Sequence, residues 1–147
     1  MPPAADTAAT SQVLQQVLAD RPEVHRHLGD AWAAAPAAVD PRLLALCSAR
    51  IATLLGGPAD DAFPLDEALR AQLPTWPTSA AFDEVDRACL AFTEQFVIDV
   101  ASLDDATANA VVDHLGADGF GNFVNALLVA EQRQRLRLIW DRLEVTP

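Results

Sequence analysis

Arg50 stands inside an apolar stripe, with Leu43, Leu46, Cys47, Ile51 and Leu54 around it at helical spacing. An arginine is rarely buried alone, because an unpaired charge there costs on the order of several kcal/mol. Either it closes a structural ion pair, with Glu131 or with the acids of the GGPADD turn, or it clamps an anion in a pocket. Glu131 and Arg135 lie four apart on one helical face, in the favourable acid-before-base order. Exposed, they would contribute a few tenths of a kcal/mol; turned inward, Glu131 would be an acid or base with a raised pKa. Asp60 and Asp61 are tandem acids in a Gly/Pro loop, read as a solvated turn or as general acid/base groups. Two acids alone make a poor metal site, and His25, His27 and His114 are too scattered to add to one. His27 is a rim residue that could line a cleft, and His114 suits the helix end at Gly116. Cys47 and Cys89 form neither a CxxC nor a metal pattern and read as buried, inert thiols. No metal and no cofactor is expected.

The elements that must hold these residues are helices. Alanine is abundant, Val and Ile are sparse, and apolar residues recur at helical rather than alternating spacing. Residues 1–10 read as a loose tail ahead of one domain, 11–147, whose first helix runs from about Ser11 to Ala19. Pro22 starts a second helix, stopped by Pro36, with Val24, Leu28, Ala31, Trp32 and Ala35 buried. Asp40 caps a third, Pro41 opens it and Gly56-Gly57 ends it. A short helix near Leu65–Leu73 and a Pro-punctuated loop carrying Trp76 lead to a helix over about Asp83–Val100, with Val85, Cys89, Phe92 and Phe96 facing in. Ser102 and Asp105 make a capping box for a helix ending at Gly116, and the last helix spans about Gly119–Leu143. The arginines at 133, 135, 137 and 142 form a solvated face on it, or one that meets the acidic face of a second copy.

Charge narrows the partners. The 147 residues carry 21 acids against 10 cations, net −11, and every cation is Arg. That balance argues against nucleic acid and against anionic membranes. No apolar run approaches the 18 or so residues of a membrane span, and the N-terminus lacks the features of a signal peptide, so a cytoplasmic protein is expected. Without Lys there is no amine for Schiff-base chemistry.

The order of segments resembles the carboxymuconolactone decarboxylase / alkylhydroperoxidase D-like superfamily. The matching stretches are Asp40-Pro41-Arg42-Leu43, then Arg50, Ala52, Leu54 and Gly56 of an R-x-A-x-L-x-G helix end, then the Trp76 segment. Phe82, Arg87, Ala88, Leu90, Ala91, Phe92 and Glu94 follow, and Arg135 takes the Arg place of the final helix. The resemblance spans roughly residues 20–145. It implies an all-α compact bundle of about six to seven helices, alkylhydroperoxidase D-like, in a homo-oligomer (dimer, trimer or hexamer). Redox members carry CxxC after the long helix, with His four residues beyond and Glu about three turns before. Here the thiol places are Gly57 and Asp60, the His place Pro64 and the Glu place near Ala45. Thiol peroxidase activity is therefore expected to be absent. The function expected is that of a repurposed non-redox enzyme acting on a small organic molecule, with Arg50, Glu131 and Asp60 as catalytic groups. Its apolar pocket would be lined by His27, Trp32, Cys47, Asp61, Phe92 and Arg135. The alternative is a non-catalytic ligand-binding or assembly module.

Overall fold

A computed structural model describes residues 16–142, and no strand occurs among them. From Pro22 to Arg142 the described residues form five α-helices: α1 Pro22–Ala37, α2 Pro41–Leu55, α3 Glu67–Gln72, α4 Glu84–Ile98 and α5 Asp105–Arg142. Short 3-10 turns at Leu73–Thr75 and Val100–Ser102 join the later ones. The expected tail and residues 11–15 of the helix expected from Ser11 to Ala19 lie outside the described residues, as does Leu143; Gln16 and Val17 are helical, and a turn follows at Leu18.

α2 begins and ends as its residues predict. Asp40 accepts the Leu43 N–H at 2.9 Å, Pro41 opens the helix, and Gly56 closes it in the left-handed region at φ 75°. Its burial is broader than a stripe. Leu43, Leu44, Ala45, Leu46, Cys47, Ser48, Ala49, Ile51 and Ala52 are all buried, because α2 is the central rod against which α4 and α5 both pack. α4 is capped by a reciprocal box between Asp83 and Asp86, and ends at Ile98 rather than Val100. Phe92 is the hub of the core, with its ring 5.5 Å from Phe120, 5.8 Å from Phe123 and 6.1 Å from Phe96.

Three expectations change. The cap ahead of α5 is Asp104, which accepts the Thr107 N–H at 2.7 Å; Ser102 instead closes the 3-10 turn and donates to Asp99. An aspartate nearer the helix outcompetes the serine. The helix break expected at Gly116, by contrast, is present: its φ of 74° and ψ of 171° are non-helical and divide α5 in two. α1 continues through Pro36 to Ala37, since a proline this close to the end removes one hydrogen bond only. None of its expected buried stripe is fully buried, and Val24 is 51% exposed. The reason is placement: α1 lies at the edge, against α5. No helix among the described residues is long and apolar enough to cross a membrane.

Candidate functional site

Three polar residues from distant segments meet at one carboxylate oxygen. Arg50, on α2, directs Nε and Nη2 at Glu94 Oε1, both at 2.7 Å. Trp76, from the loop after α3, donates its indole N–H to the same oxygen at 2.8 Å. A carboxylate oxygen can accept several donors, and charge assistance makes these strong contacts. Arg50 therefore pairs with Glu94 and not with Glu131 or the GGPADD acids. Sequence reasoning placed Arg50, Trp76 and Glu94 in separate motifs, and only the crossing of α2 over α4 joins them. Arg50 also lines a cleft of about 220 Å³ with Thr53, Gly57, Arg70 and Pro74.

Asp60 is not in a solvated turn. It is 5% exposed, and Arg133 of α5 holds it through Nε at 2.7 Å and Nη2 at 3.1 Å. Ala62 N–H donates to it at 3.0 Å, and Arg137 approaches to 3.7 Å. Burial alone would push this carboxyl up. The hydrogen bond and charge of Arg133, the Ala62 N–H and the charge of Arg137 outweigh that and hold it below the usual carboxylate value. Arg133 in turn lies under Trp32, 4.9 Å from the ring centre, and 5.7 Å from Phe63. The expected solvated arginine face is thus divided: 133 and 137 turn inward to the loop, while 135 and 142 are exposed. A helix face that follows apolar spacing up to Glu131 carries its first buried guanidinium two residues further on.

Gly57, the first thiol place that the resemblance implies, packs against α5. A Cβ on Gly57 would collide with Gln134 Nε2 and lie 2.9 Å from Leu138 Cδ2. Gln134 is buried there and donates to Pro58 O at 3.0 Å. Asp60, the second place so implied, is held by Arg133.

The remaining candidates scatter. Half-buried Glu131 pairs with exposed Arg135 at 2.8 Å, as their spacing predicts. His27 and Asp61 are exposed, and Trp32 is half-buried with its indole donating to Gln132 at 2.7 Å. Cys47 and Phe92, expected to line a pocket, are sealed in the core because α2 and α4 bury those faces against each other. Burial pushes the Cys47 thiol up to about 12 against the opposing hydrogen bond with Thr93, and burial raises Cys89 as well. Neither is a nucleophile near neutrality. Both thiols should resist an aromatic disulfide reagent in the native protein and react in denaturant. Rapid native labelling of either would refute the sealing.

A larger opening than the Arg50 cleft lies elsewhere. A cleft of about 570 Å³ lies between the end of α1, the start of α2 and the turn before α3, walled by Pro36, Leu44, Phe63, Pro64 and Leu69. Its polar rim is Arg42 and Asp66. Arg42 is held bidentately by Asp86 at 2.8 and 3.1 Å, and Asp66 caps α3. No family model, curated protein or solved structure matches the chain.

Proposed function

We propose that this chain is a redox-inactive protein of the carboxymuconolactone decarboxylase / alkylhydroperoxidase D-like type that binds a small, mainly apolar organic molecule without transforming it. The observation that carries the reading is the contrast between its charges and its apolar cleft. Arg50, Asp60 and Glu131 each have a close intramolecular partner, whereas the 570 Å³ cleft is apolar and open. A cleft of that volume, with few polar groups on its rim, has the character of a small-molecule site. Acid/base chemistry by those three groups would need one of them free, and Asp60 and Glu131 line neither cleft; the rim carboxylate Asp66 is engaged in capping α3. The convergence of Arg50, Trp76 and Glu94, drawn from three of the family-like motifs, supports the superfamily reading by giving those motifs one shared structural task. Self-association, which the resemblance implies, belongs to the same proposal, and exposed Val24, Leu128 and Ile139 offer apolar surface for it.

A thermal-shift screen of small apolar molecules tests the binding. Hits should raise the melting temperature of the wild type, by roughly 2.7 kcal/mol of added stability at a hundredfold excess over Kd. Ala37→Trp places an indole at the wall of the cleft on an exposed helix end. It should abolish the shift while leaving the unliganded melting temperature within a degree or so, as surface substitutions do. Hits that bind Ala37→Trp equally well would defeat the assignment.

A further inference from the structure

The smaller cleft has a chemistry of its own. We propose that the opening between Arg50 and Arg70 binds a small oxyanion, a carboxylate or a phosphate. It shares no lining residue with the apolar cleft, so the inference stands apart from the reading above. Among the described residues its wall carries two guanidiniums and no carboxylate, the reverse of a chain with 21 acids against 10 cations. Arg50 spends Nε and Nη2 on Glu94 Oε1, which leaves Nη1 without a partner among the described residues. That nitrogen is not sealed from solvent either, because the only unsatisfied buried side-chain atom among the described residues is Arg87 Nε. Glu94 thus fixes the orientation of the guanidinium while leaving one arm of it open.

Arg70 is held only loosely. Its Nε lies 3.5 Å from Glu67 Oε2, and the Glu67 side chain is 88% exposed. A surface pair of that kind contributes close to nothing, so the Arg70 fork can turn to an anion at little cost. Ala52, Leu73 and Pro74 give the cleft apolar walls, which lower the local dielectric and strengthen a charge-assisted contact. Planar forks of this type match the geometry of carboxylate and phosphate oxygens. The volume of about 220 Å³ falls below the roughly 300–1,000 Å³ of pockets for drug-sized ligands. A phosphate ion or a short-chain or single-ring acid fits that limit.

Calorimetric titration of the full chain at low salt, with benzoate, inorganic phosphate and neutral benzamide as probes, tests this. Saturable binding of either anion is expected, and none of benzamide. Binding of benzoate alone identifies organic carboxylates; binding of phosphate identifies the free ion as a ligand. Arg70→Gln should weaken the bound anion about tenfold, the value of one charge-assisted contact. Arg135→Gln, a change in an exposed pair outside the cleft, should leave it unaltered. The proposal is overturned if neither anion saturates, if benzamide binds as well as benzoate, or if Arg70→Gln has no larger effect than Arg135→Gln.

Discussion

Arg133→Met is expected to destabilise the protein by roughly 3–5 kcal/mol, because it strands a buried carboxylate. Asp60 would keep only the Ala62 N–H and the more distant Arg137, at 3.7 Å. The stack of Trp32 and Phe63 on the guanidinium would go with it. For a chain of this length the loss amounts to a fall in melting temperature of about 10 °C, readable by circular dichroism. Removing both partners should be far milder. Asp60→Leu combined with Arg133→Met leaves no uncompensated charge and should recover most of the loss, since apolar replacements of buried ion pairs are often neutral or better. A single variant as stable as the wild type would show that the pair does not hold the loop to α5. Acid should act in the same direction. The folded Asp60 pKa lies below its unfolded value, so the contribution is complete above the ordinary carboxylate value near ~3.9. It is lost as the pH falls through the lower, folded value. Between those two values the wild type should lose stability more steeply than the double variant.

Phe92→Ala should cost about 3–5 kcal/mol, the range for emptying a large aromatic site in a packed core. Phe92 is 2% exposed and touches the rings of Phe96, Phe120 and Phe123, which join α4 to α5. The measurement is denaturant unfolding, with the affinity of any cleft ligand followed in parallel. Stability should fall while affinity for the apolar cleft holds, because Phe92 is not on its wall. A loss of affinity with little loss of stability would return Phe92 to the pocket in which its sequence context placed it.

What could be read without coordinates depended on range. Asp40, Pro41 and Gly56 act on backbone groups within a few residues of themselves, so their caps are legible from spacing alone. Gly116 breaks its helix for the same local reason, and Glu131 meets Arg135 because four residues make one helical turn. The absence of CxxC and of Lys is a property of the chain itself. Periodicity identified helices and their apolar residues, yet it could not tell a face covered by one neighbour from a rod covered on nearly all sides. For that reason α2 is more deeply buried than a stripe predicts, and α1 less.

The partners of the charges belonged to tertiary structure. Arg50 and Glu94 are 44 residues apart, and Asp60 and Arg133 are 73 apart. Nothing in either local pattern selects the other, because an ion pair needs proximity and the crossing of α2, α4 and α5 supplies it. The same crossings closed Cys47 and Phe92 into the core, seated Gln134 against Gly57, and left the clefts elsewhere. By itself the sequence determined that the chain is helical, where helices begin and break, and that the paired thiols of a peroxidase are missing. Only the packing decided which charges are spent on holding the bundle and which arm of Arg50 remains open, since burial and pairing are properties of helices already brought together.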